Sequence, residues 1–123
     1  MVDLFEFLRS SDELKRLYAQ AKIEELVEDG KITWGGMREI IKLLDSRDKE
    51  LADWAWERVD ELIWDGLLPR DLAKDFLKFL ESSDESVRLG AWRRVNELIE
   101  REVLTLEEVK ERKKYFLELL ESK

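Results

Sequence analysis

The sequence predicts an all-α chain folded as a short α-solenoid of about seven helices, in which short and long helices alternate. Three observations predict it. First, one stretch is written three times, as Ser10-Ser11-Asp12 through Gly30, Ser46-Arg47-Asp48 through Gly66 and Ser82-Ser83-Asp84 through Glu102, at an offset of 36 residues each time (46 − 10 and 82 − 46). Second, Ala19, Ala55 and Ala91 coincide in that frame, as do Ile23, Val59 and Val95, then Leu26, Leu62 and Leu98, and each follows the last at helical spacing. Third, a unit of this size cannot bury its apolar stripe alone, so the copies must stack. The 123 residues read as one domain, with repeats over 1–30, 31–66 and 67–102 and a closing helix over 103–123.

Each element has a local reason. Residues 3–9 match 39–45 and 75–81 at the same offset, so the first short helix is a truncated repeat element. Ser10 with Glu13, and Ser82 with Glu85, have capping-box spacing and are expected to open the long helices; Ser46 keeps the cap, but Lys49 replaces the glutamate. Gly30 and Gly66 suit the positive φ of a helix C-cap, where the third copy has Glu102 and is expected to end differently. Ala55, Val59, Leu62 and Ile63 form the buried stripe of the middle long helix. Thr33, Pro69 and Thr105 then start the short helices, Thr105 with Glu108 as a further capping box. These helices bury Met37, Ile40, Ile41 and Leu44, then Ala73, Phe76, Leu77 and Leu80. Phe116–Ser122 matches Phe76–Ser82 at an offset of 40 (116 − 76), so the closing helix carries one extra turn.

Composition narrows the function. A net charge of −8 opposes general nucleic-acid affinity, which comes from cations neutralising phosphates. There is no histidine, which removes the commonest general base and zinc ligand, and no cysteine, which removes thiolates and disulfides. No catalytic residue, metal site or cofactor is therefore assigned. The chain opens without a signal segment and holds no long apolar run, so it is expected in the cytoplasm, with no membrane association. Charged residues make up 42% and Gln20 and Asn96 are the only side-chain amides, a balance similar to that of thermophile proteins.

From Ser82 to Leu98 the chain resembles a HEAT repeat, whose second helix opens with aspartate, then valine-arginine, then alanine and an aliphatic residue at four-residue steps. Asp84, Val87, Arg88, Ala91 and Val95 match that pattern. Asp12, Arg16, Ala19 and Ile23 match it with Lys15 in the valine's place; in the middle copy Asp48, Leu51 and Ala55 match, but Ala52 replaces the arginine. The period is shorter than the roughly 40–47 residues usual for the family. The resemblance to HEAT-like and armadillo-like helical repeats implies a right-handed curved stack, with long helices lining the concave side. It also implies a protein-binding scaffold, since such arrays usually act as one.

Candidate contact residues lie on the long helices. Trp64 stands opposite the stripe that buries Ala55, and Trp54 lies to one side of the same helix. The acidic ridge residues Glu57, Asp60 and Glu61 would steer a basic or amphipathic protein or peptide towards them, and Leu14, Leu17 and Leu89 occupy the same outward ridge in the flanking copies. The partner is a second protein or another copy of the chain. Trp56 and Trp92 share a column that packs between repeats, and Trp34 is either a lid or a further contact. The alternative is nucleic-acid binding through phosphate contacts of Arg38, Lys42, Lys74, Lys78, Lys110 and Lys114 on the solvent side of the short helices. Interleaved acids such as Glu39, Asp75 and Glu111 oppose that reading.

Overall fold

A computed structural model of the chain describes residues 3–121, and every regular element among them is helical. In chain order these are α1 (Leu4–Leu8), α2 (Glu13–Glu28), α3 (Trp34–Lys42, extended by a 3-10 turn over Leu43–Asp45) and α4 (Lys49–Trp64). A second 3-10 turn over Arg70–Leu72 leads into α5 (Ala73–Leu80), followed by α6 (Glu85–Arg93), α7 (Val95–Glu100), α8 (Leu106–Lys110) and α9 (Lys113–Glu121).

The described residues thus hold nine α-helices where about seven were expected, because the third long helix and the closing helix are each broken once. Both breaks use the same device. The Arg94 amide donates to the carbonyl of Ala91, three residues back, and the Arg94 Nη1 donates at 2.8 Å to the carbonyl of Gly90 that its own amide has left. At the second break the Arg112 amide donates to Val109, and the Arg112 Nη1 donates to the Glu108 carbonyl at 2.8 Å. A side-chain donor inserted into the helical ladder is a recognised cause of such bends.

The long helices begin differently from the sequence expectation. Asp12, Asp48 and Asp84 are the N-caps, their carboxylates accepting from first-turn amides. Ser10, Ser46 and Ser82 stand two residues earlier, each accepting from the aspartate's amide through Oγ at 3.0, 3.2 and 3.1 Å. The serine shapes the turn and the aspartate caps the helix, since a carboxylate is the stronger acceptor and favours the positive end of the helix dipole. Of the expected boxes, Thr105 with Glu108 is complete. Glu108 also receives the Arg70 guanidinium at 2.8 Å; these hydrogen bonds, Arg70 first and Thr105 next, pull its pKa down to about 2.

All three copies end alike. Lys31, Leu67 and Val103 donate their amides to Leu26, Leu62 and Leu98, and Gly30, Gly66 and Glu102 donate to Val27, Ile63 and Ile99, the paired bonds of a Schellman motif. Glu102 therefore does what the glycines do, at φ 63° beside their 67° and 69°.

Ala19, Ala55, Ala91, Ile23, Val59, Val95, Leu62 and Leu98 are buried in one core, whereas Leu26 is half-buried at the start of the array. The short helices add Met37, Ile40, Ile41, Leu44, Ala73, Phe76, Leu77 and Leu80. α1 packs on α2, α3 on α4 and α5 on α6, while α2 also meets α4. α9 packs on α6, where the Trp92 Nε1 donates to the Leu80 carbonyl at 3.0 Å and its ring lies 5.1 Å from that of Phe116.

Capping by aspartate sets an order of stabilities. Asp84→Ala should cost about 1 kcal/mol and Ser82→Ala clearly less, read by urea denaturation. The reverse order would return the cap to the serine.

Candidate interaction surface between the long helices

The side chains that join one long helix to the next fix the geometry of this surface. Arg58 on α4 is 7% exposed; its Nη1 lies 2.6 Å from Glu24 on α2, and its Nη2 lies 2.9 Å from Glu61 and 3.3 Å from Glu57. Its guanidinium also covers the ring of Trp54 at 5.5 Å. One repeat later, Arg94 bridges to α4 in a bidentate fork, Nε to Asp60 Oδ1 at 2.6 Å and Nη2 to Oδ2 at 3.0 Å. Its guanidinium stacks 4.1 Å above the ring of Trp56. The edge of that ring lies so close to Gly90 that a Cβ there would meet it at 2.9 Å, so only glycine admits the tryptophan.

Asp60, Glu61 and the more exposed Glu57 are consequently tied to arginines of the chain itself rather than standing free as an acidic ridge. Burial raises the pKa of Glu61 more than Arg58 lowers it, and the nearby Glu28, Glu24 and Asp65 raise it further.

Two clefts flank the Arg94–Asp60 bridge. One, of about 300 Å³, is lined by Asp60, Ile63, Trp64, Arg93, Arg94 and Glu97. The other, of about 570 Å³, includes Asp53, Trp56, Glu57, Leu89 and Gly90 in its lining and shares Arg93 and Arg94 with the first. Together they form a groove between α4 and the broken helix α6–α7. Trp64 stands at one end, 65% exposed. Arg93, also exposed, makes no ion pair among the described residues.

The groove brings together four of the candidate contact residues, Trp64, Asp60, Glu57 and Leu89. Trp54 and Glu61 belong instead to the Arg58 cluster, and Trp54 is half-buried against the core. Leu14 and Leu17 are exposed on α2 and line neither cleft. Trp34 is exposed with Arg38 over its ring at 5.7 Å. Arg38, Lys42, Lys74, Lys78, Lys110 and Lys114 are all exposed, spread over α3, α5, α8 and α9, and Lys42 lies 3.5 Å from Glu39.

Sequence reasoning missed Arg58 and Arg94. A signal was present: Lys22, Arg58 and Arg94 share a column, and each arginine follows an acid of the preceding repeat by 34 residues (58 − 24 and 94 − 60). Among the described residues no group of three or more acidic, histidine or cysteine side chains is placed to hold a metal ion, and no helix is long and apolar enough to cross a membrane.

Compared with models of known protein families, with curated proteins and with solved structures, the chain matches none.

Removing a buried arginine leaves its carboxylates without a counter-charge. Arg58→Ala should therefore destabilise by about 2–3 kcal/mol, the low end for a buried pair because its partners are partly solvated, whereas Arg93→Ala should stay within about 0.5 kcal/mol of wild type. Chemical denaturation of both variants checks this, and equal losses would contradict it.

Proposed function

We propose that this chain is a non-catalytic scaffold of HEAT-like repeats, a short solenoid that binds a protein or peptide segment along the groove between α4 and α6–α7. The observation that carries the reading is Trp64, a large aromatic side chain held in water at the mouth of a cleft. Tryptophan in such a place is the residue type most often found to dominate binding energy. The groove wall offers Asp53, Glu57 and Glu97 on one account and the unpaired Arg93 on the other. An amphipathic segment fits it, with an apolar side chain on the indole, basic residues along the acidic wall and one carboxylate for Arg93. A location in the cytoplasm and an origin in a thermophile belong to the same reading, supported by composition alone. The nucleic-acid alternative has less behind it, because its six cations are dispersed over four helices of a chain with net charge −8.

The test is selection of peptides from a random helical library on immobilised protein. The selected peptides should carry a large apolar residue beside lysine or arginine, and Trp64→Ala should weaken them by about 2 kcal/mol, roughly 30-fold, with the melting temperature little changed. Selection of the same peptides at the same affinity by Trp64→Ala would overturn the placement.

A further inference from the structure

The joints between long helices follow one rule, and the rule exposes an open end. On α4 the residues facing the preceding long helix include Arg58, which reaches Glu24; on α6–α7 they are Gly90 and Arg94, which meet Trp56 and Asp60. In the 36-residue frame the matching positions on α2 are Tyr18 and Lys22, with Leu14 one turn earlier on the same stripe (14, 18, 22). Among the described residues no long helix covers this receiving stripe. Leu14 is 77% exposed, and Leu17 and Tyr18 are exposed beside it. α1 meets the stripe at Tyr18, the Phe7 ring lying 6.4 Å away, and leaves Leu14 exposed. The ion pair found for Lys22 is with Glu25 of its own helix, at 3.6 Å and well exposed.

The opposite end of the chain carries the other half of the joint. In the joint between α4 and α6–α7 the preceding helix offers a large apolar residue, Trp56, and, four positions on, the carboxylate of Asp60, whereas α2 offers Gln20 and Glu24 in those places. α9 repeats that spacing with Leu117 and Glu121, both exposed, and adds Leu120, 53% exposed. Its inner side is already committed, with Leu119 buried and Phe116 against Trp92. Single exposed leucines are ordinary on a soluble surface, but two apolar stripes at opposite ends of one array are a matched pair.

We propose that the chain assembles head to tail, the outer edge of α9 of one copy packing on the Leu14, Leu17 and Tyr18 stripe of the next, with Glu121 of the first facing Lys22 of the second. The joint uses two different surfaces, so each copy keeps one free half and assembly continues into chains or closes into a ring. The groove of the preceding subsection takes no part in it.

Sedimentation velocity of the full chain tests this with two charge-introducing variants at exposed positions, Leu14→Glu/Leu17→Glu and Leu117→Lys/Leu120→Lys. Wild type should grow in mass with concentration, and each variant alone should stay monomeric with an unchanged circular dichroism spectrum. Mixed, the two variants should form a one-to-one dimer that grows no further, because only one intact pair of faces remains. A wild type that is monomeric throughout would overturn the proposal. So would a dimer abolished by only one of the variants, which would mean that one face pairs with itself.

Discussion

Neighbouring long helices are tied by the same ion pair used twice, Glu24 to Arg58 and Asp60 to Arg94. Apolar contacts along the Ala19, Ala55 and Ala91 columns give the helices a reason to approach, but such contacts tolerate sliding, since hydrophobic burial is non-directional. A forked guanidinium does not tolerate it. The two donors of Arg94 fit the Asp60 carboxylate in one orientation and so fix the register of the helices, while Arg58 holds Glu24 through Nη1 alone and is itself oriented by Glu61 and Glu57. Each arginine also lies over a tryptophan of the middle helix, Arg58 on Trp54 and Arg94 on Trp56, which keeps those indoles out of water. The groove exists because of this arrangement: the Arg94–Asp60 bridge spans it, and Arg94 lines it on both sides.

The same joints explain how the two ends differ. After the third copy, the position of Glu24 and Asp60 is held by Asn96, which could not continue an ion-pair ladder, and the closing helix folds back on Trp92 instead. Arg112, at the break in that helix, reaches Glu81 at 3.6 Å, while Arg70 holds Glu108. At the first copy Lys22 stands in the arginine column with its stripe still open. Among the described residues the third long helix is thus covered by α9, while the matching stripe of α2 is exposed.

Much of this was legible in the sequence, because repetition multiplies each weak signal by three. The alanine and valine columns gave the buried stripe, and Gly30 and Gly66 marked the helix ends. Glu102 broke the glycine pattern without breaking the structure: the Schellman bonds from Val103 and Glu102 hold it in the left-handed region that its side chain disfavours. The helix starts were misplaced by two residues, since Ser-x-Asp offers two capping side chains and only the three-dimensional turn decides between them. The breaks at Arg94 and Arg112 were invisible, because nothing in helical periodicity tells an arginine that points to solvent from one that turns back onto its own backbone. For the same reason the acidic ridge looked free: charge counts do not reveal which acids a neighbouring helix has already engaged.

The central claim is that the arginine–carboxylate joint couples one repeat to the next. A double-mutant cycle on Asp60→Ala and Arg94→Ala, read as unfolding free energy in urea, measures that coupling directly. The account predicts an interaction energy of about 1 kcal/mol or more, with each single variant losing more than its share of surface packing. Additivity within about 0.3 kcal/mol would contradict it, and would leave apolar packing alone holding the long helices in register.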